Sequence, residues 1–195
     1  KPSLLDRLRQ GGLVGWVIVA LGVFGFLLAA WRLLGLMRVV RSVRVQMRNL
    51  SQPTTDNPLG RVLNVLGPNP QLSDLETLEL KLDEAVMQEV PQLEKGQGLL
   101  KLLAAVAPLL GLLGTVTGMI ITFQAITQSG GGDSRLMADG ISQALVTTVE
   151  GLVVAIPLLF LHSILSARSK SVVQLLEQQC VGLLALHMSG SKRSE

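Results

Sequence analysis

The stretch ISQALVTTVEGLVVAIP, Ile141–Pro157, sets polar side chains into an apolar run, among them Gln143, Thr147, Thr148 and Glu150. Their chemistry is that of proton handling. A carboxyl group gives and takes a proton, and hydroxyl and amide groups relay or hold one. At about 100° per residue on a helix, Gln143 and Glu150 nearly eclipse one another, and Thr147 lies within about 60° of both. These three form one polar stripe. Thr148 falls roughly opposite Glu150. A single narrow lumen cannot see both equally, so one of them should face another helix.

A charged carboxylate at mid-bilayer costs about 2.5–3.5 kcal/mol on insertion scales. Glu150 should therefore face protein or water. Two readings follow: a group that passes protons, or a neutral acid hydrogen-bonded across a helix interface for structure alone. Ionisable residues inside a membrane are functional by default, which favours the first. A second run, LLAAVAPLLGLLGTVTGMIITF, adds the hydroxyls of Thr115 and Thr117. In it Gly111, Gly114 and Gly118 recur at three- and four-residue steps and make one smooth face for close packing. Pro108 should kink this run or leave a carbonyl free, and Pro157 is the matching position after Glu150. No nucleophile–base pair is visible, and the chain is read as a non-enzyme without cofactor. His162 and His187 stand apart, the single Cys180 excludes an internal disulfide, and no Cys/His spacing suggests a metal.

These residues need long apolar helices to hold them. The chain of 195 residues is 48% hydrophobic, only 16% charged and free of tyrosine. A soluble domain rarely has so few charges, and windows well beyond 18 residues favour spans over a soluble bundle of buried helices. The expected fold is an all-α membrane protein of three transmembrane helices with long cytoplasmic helical extensions. Residues 1–12 form a periplasmic N-terminal segment and 13–37 the first span. A cytoplasmic helical loop covers 38–98, the second span 99–126, a periplasmic link 127–140 and the third span 141–165. Residues 166–195 form a cytoplasmic C-terminal helix and tail. The chain begins at Lys1 without methionine, which reads as a processed or trimmed start, and the first span is too long for a signal-peptide core.

Basic residues set the orientation. Arg38, Arg41, Arg44, Arg48, Arg61, Lys81 and Lys95 follow the first span, and Arg168, Lys170, Lys192 and Arg193 follow the third. The link between the second and third spans holds Arg135 alone. The loop and tail are therefore cytoplasmic and the N-terminus periplasmic, although Lys1, Arg7 and Arg9 pull the other way. Arg38, Arg41, Arg44 and Arg48 make a basic stripe on one helix face, which reads as a contact with anionic membrane lipid or as a solvated face. The net charge of +3 reflects this layout and not nucleic-acid binding. Residues 51–73 are rich in proline and glycine and read as loop, with one short helix near Leu59–Leu66. Ser73 and Glu76 make a capping box for a helix that Pro91 should bend or break.

The runs APLLGLLGTVTGMIITF and ISQALVTTVEGLVVAIP resemble, in order and at the right separation, the second- and third-span motifs of the MotA/TolQ/ExbB proton-channel family. The resemblance covers about Leu99–Leu165, and it is closest to ExbB-type subunits of TonB systems, including the long TtpC-type with an added periplasmic region. It implies a homo-oligomeric ring, usually a pentamer, in the bacterial inner membrane. The ring encloses helices of an ExbD-like single-span partner, and proton flow drives motion that a TonB-like protein passes to outer-membrane receptors. By motif, Thr115 and Thr148 match the family's channel-lining threonines, while the main proton-carrying aspartate belongs to the partner. Many ExbB and TolQ proteins have a glutamate where this chain has Gln143; here the carboxylate is Glu150, two turns deeper. Other readings are a structural ring scaffold and a TolQ-like or flagellar-stator motor subunit, the stator being disfavoured by three spans in place of four.

Overall fold

In a computed structural model of the chain, residues 12–50, 52–65, 75–128 and 134–191 are described. They hold five α-helices and no strand: α1 Gly12–Gln46, α2 Pro58–Asn64, α3 Leu75–Glu94, α4 Gln97–Gln128 and α5 Ser134–Ser191. Three stretches are long and apolar enough to cross a membrane: Gly12–Gln46, Leu75–Gln128 and Met137–Leu186. Residues 1–11 of the expected N-terminal segment and the capping Ser73 lie outside the described residues.

The helices outrun the apolar windows. Neither glycine nor proline interrupts Arg38–Gln46, so α1 continues as a helix past its apolar part. The third span and the tail are one 58-residue helix, with no glycine or proline between Leu158 and Val181 where the two join. The expected break at Pro91 does not occur there. Helix α3 runs through Pro91 to Glu94. The carbonyl that proline leaves without its helical donor belongs to Met87, on the exposed side, where water can replace the bond. The interruption falls instead at Gly96, whose φ of 81° suits a residue without Cβ. Helix α4 starts at once, with Leu100 donating to the Gly96 carbonyl at 3.1 Å.

The chain divides into two compact units. One contains the part of α1 up to Ala30 together with Gly96–Ser163. Its outer face carries the large apolar side chains: Trp16, Phe24, Leu112, Val116, Val153 and Phe160 are all exposed. Its inner face is rich in small residues, with Ala29, Ala104, Ala107, Ala144 and Ala155 buried beside a few large ones, Ile18, Leu100 and Leu158. Exposed aromatic and branched side chains around contacts rich in alanine and glycine are the arrangement of helices packed in lipid. Gly15, Gly22 and Gly25 of α1 meet Glu150, Val154 and Leu158 of α5. A Cβ at these glycines would lie 2.7, 2.9 and 2.9 Å from the facing side chain. The contacts ascend together in both helices, so α1 and α5 run in the same direction.

The other unit contains Trp31–Lys95 and the chain from Ile164. Arg32 Nη2 donates to the carbonyls of Gln92 and Leu93 at 3.1 and 3.3 Å, capping the last turn of α3. Buried Gln46 organises the turn after α1. Its amide donates to the Asn49 and Gln52 carbonyls, and its oxygen accepts from Thr54 and Asn57. Asn57 in turn caps α2 by accepting from Gly60 N–H at 2.8 Å.

Helix α2 is tied to α3 by a two-pronged ion pair. Arg61 Nε and Nη2 donate to Glu89 Oε1 and Oε2 at 2.7 and 2.6 Å. Arg61→Ala leaves the buried Glu89 carboxylate without this partner and is expected to destabilise this unit by about 1–2 kcal/mol, since Arg61 itself is partly solvated. Thermal unfolding of the purified protein checks this; an unchanged midpoint would show the pair to be idle.

Buried Val172, Leu176 and Cys180 line one face of the α5 tail. Burial, and then the charges of Asp83 and Glu177, push the Cys180 thiol from 9.0 up to about 11. The folded protein should therefore resist maleimide at pH 7.5 and label fully once unfolded. With the pKa raised on folding, this thiol's contribution to stability is complete below pH 9 and is lost as pH climbs towards 11. Rapid labelling of the folded chain would contradict the assignment.

Candidate functional site

The site forms where α4 and α5 come closest. Both helices present their smallest residues to each other. A Cβ on Gly111 would lie 2.8 Å from the Thr147 carbonyl oxygen and 3.1 Å from Thr148 Cα. One on Gly114 would meet the Thr147 side chain at 2.5 Å, and one on Gly118 would meet Ala144 Cβ at 2.9 Å. From the other side, a Cβ on Gly151 would lie 2.6 Å from the Ala107 carbonyl oxygen. Contacts ascend in α4 as they descend in α5, so the two run antiparallel. Both prolines sit inside their helices, Pro108 in α4 and Pro157 in α5, and neither ends its helix.

Close backbone approach brings three hydroxyls onto two carbonyls. Thr115 Oγ1 lies within hydrogen-bond reach of the Gly111 carbonyl at 3.1 Å and of the Ala144 carbonyl, across the seam, at 3.2 Å. Thr115 and Thr148 are also joined hydroxyl to hydroxyl. Thr148 reaches the Gly111 carbonyl at 3.3 Å. Thr147 reaches the same carbonyl at 3.3 Å and that of Ala144 at 2.7 Å. Each hydroxyl has one proton to donate and more than one acceptor in reach, so the network has alternative hydrogen-bond orders. Exchange between such orders is what a proton relay requires, and the carbonyls can stabilise a passing positive charge.

The polar stripe of α5 is divided between two neighbours. Thr147 and Thr148 lie in the α4 seam. Glu150 faces α1 at Gly15. Both its oxygens are shielded from solvent without a hydrogen-bond partner among the described residues. Gln143 is exposed, two turns earlier, with its amide 3.1 Å from where a Cβ of Gly12 would sit. Thr148 and Glu150 thus each face a helix, and a different one.

Gln143 also lines a cleft of about 220 Å³ with Thr117, Thr122 and Thr147. This cleft carries polar groups from the seam towards the Gly12 end of α1. The model of the MotA/TolQ/ExbB proton channel family matches residues 55–178. The chain belongs to that family. It is 34% identical to an ExbB-like protein (ExbB-like 1) of Synechocystis over 185 residues, covering 84% of this chain and 71% of that one. It is 36% identical to the biopolymer transport protein ExbB of Xanthomonas campestris over 107 residues, 55% of this chain and 42% of the relative. It is 34% identical to the Tol-Pal system protein TolQ of Haemophilus influenzae over 90 residues, 46% of this chain and 40% of that one. The MotA/TolQ/ExbB family is one of transport subunits, not of enzymes, and its membership with three apolar spans makes this a multi-pass inner-membrane protein.

Two features of the site carry little signal in the sequence. Thr122 lies one heptad after Thr115, a spacing that places both on one face of α4, and its hydroxyl bonds the Gly118 carbonyl at 2.8 Å. Gly15 as the seat of Glu150 had no signal in α5, because it depends on which α1 residue comes level with position 150.

Proposed function

We propose that this chain is a proton-channel motor subunit. With an ExbD-like single-span partner it uses the proton motive force to energise TonB-dependent transport across the outer membrane. The observation that carries this is the cluster of Thr115, Thr147 and Thr148 hydroxyls on the Gly111 and Ala144 carbonyls, at mid-span in a chain of this family. The N-terminus is periplasmic and the C-terminus cytoplasmic, a reading supported by the arginines after the first and third spans. Several copies form a ring, a pentamer by family resemblance, around the partner's helix.

Threonine hydroxyls do not themselves hold a charge near neutral pH. They can pass a proton only between groups that do. By resemblance that group is a carboxylate of the partner, and Thr115 and Thr148 line its path. Gln143 and Thr147 lead towards the periplasmic side through the cleft. Glu150 stands on the adjoining seam with α1 and adjusts the path or the packing beside it. The TolQ match supports a Tol-type motor as the alternative setting for the same machinery.

Co-expression with a partner of this type tests the assembly. Native mass spectrometry in mild detergent should find several copies of this chain with one or more copies of the partner. A monomeric chain that leaves the partner unbound would sink the proposal.

A further inference from the structure

A groove of about 470 Å³ is lined by residues around and beyond the end of the first span, none of them a residue of the proposed proton path. Its floor is apolar, with Met37 and Val40 of α1. Its rim is made of Arg41, Arg44 and Arg48 of α1 and Arg168 of α5. Arg168 was expected only as part of the tail; here it joins the α1 stripe from a second helix. No carboxylate pairs with any of these four arginines among the described residues.

We propose that this groove binds one anionic phospholipid, with the phosphate between Arg41, Arg44 and Arg168 and an acyl chain along Met37 and Val40. This rests on the topology proposed above, which puts the groove at the cytoplasmic leaflet. Depth supports it. Arg41 is four residues past the expected end of the first span and Arg168 three past that of the third. At the helical rise these lie roughly 6 and 4.5 Å beyond the hydrocarbon, inside a headgroup layer about 5–8 Å thick. Guanidinium groups suit phosphate because their planar forks donate two hydrogen bonds at once. Basic pockets between spans on the cytoplasmic side are where such lipids are recognised. An acidic segment of another protein would match the charge but would have no use for an apolar floor reaching to bilayer depth. A phospholipid matches both halves of the groove.

The test is native mass spectrometry of the whole complex, delipidated and then titrated with phosphatidylglycerol, phosphatidylcholine or inorganic phosphate. The wild type should retain phosphatidylglycerol in preference to phosphatidylcholine, and millimolar phosphate should not displace it. Arg41→Gln with Arg168→Gln should weaken retention by about thirtyfold at unchanged subunit number, whereas Lys81→Gln, exposed on α3 and outside the groove, should not. Equal retention by the double variant, equal binding of phosphatidylcholine, or displacement by phosphate alone would each overturn the proposal. A changed subunit number with lipid retention intact would do so too, and would make the groove a contact between copies. Proton flux measured on the same samples separates the two readings. Lost lipid with normal flux in the wild type defeats only the lipid site, and bound lipid without flux defeats only the motor.

Discussion

Gly151→Leu is expected to abolish the folded three-span unit. Position 151 is where α5 meets the α4 backbone: an added Cβ would stand 2.6 Å from the Ala107 carbonyl oxygen and 3.2 Å from Gly111 Cα. Overpacking a core costs about 1–3 kcal/mol when side chains can shift. Here the obstructing atoms are main chain and cannot rotate away. Gly151→Ala, with one carbon to accommodate, should already cost about 2 kcal/mol or more; leucine would force the helices apart and break the Thr115–Thr148 link with them. Gly182→Leu is the control, since nothing lies within 4 Å of a Cβ there. Size-exclusion chromatography in mild detergent reads the outcome. The Gly182 variant should elute as wild type and the Gly151 variant should aggregate. A normal elution profile for Gly151→Leu would mean that the α4–α5 seam is looser than described.

That seam was legible in the sequence on one side. Gly111, Gly114 and Gly118 recur at helical steps in an apolar run, and only close packing makes use of such a face. The three spans were legible because their apolar windows have few competing explanations. The length of the helices was not, because the segments after each span switch from apolar to charged without losing helix-forming residues. Pro91 illustrates a local rule that context overrode: its unfavourable carbonyl faces outward, and the chain breaks at Gly96 instead. Gln46 was invisible for another reason. Its value lies in bonding Asn49, Gln52, Thr54 and Asn57 together, and no pattern in a helix announces which loop will fold back on it.

The site divides the same way. Helical geometry alone separated Thr148 from Glu150 by about half a turn. It could not say that Thr148 would meet Thr115 and that Glu150 would meet Gly15, because those pairings depend on the vertical register of neighbouring helices. Glu150 draws the eye first as a membrane carboxylate, but the family resemblance already set Thr115 and Thr148 along the channel and the main proton carrier on the partner. The hydroxyls, and not the carboxylate, turn out to be the groups joined across the α4–α5 seam.

Thr148→Val is therefore expected to do more harm to function than Glu150→Gln. Valine has nearly the shape of threonine, and the Gly111 carbonyl keeps its place in the α4 helix, so the fold should lose less than about 1.5 kcal/mol. What disappears is the hydroxyl joined to Thr115. Uptake driven by the proton motive force should fall by roughly tenfold or more, as befits removal of a proton-transfer group. The double variant Thr115→Val, Thr148→Val should be little worse than either single one, because both remove the same link. Glu150→Gln preserves shape beside Gly15 and should act more mildly. Receptor-dependent uptake in cells, with complex abundance measured in parallel, checks the order. If Glu150→Gln alone silences a normally assembled complex while Thr148→Val is active, the roles assigned to the two groups are reversed.

The central claim is that protons cross the membrane beside the Thr115–Thr148 pair when this chain is assembled with its partner. Proton flux into proteoliposomes holding the purified complex, driven by a potassium diffusion potential, tests it most directly. The account predicts flux from the wild-type complex, none from this chain alone, and a loss of roughly tenfold or more in Thr148→Val at equal complex content. Equal flux from the wild type and from the Thr115→Val, Thr148→Val double variant would contradict it.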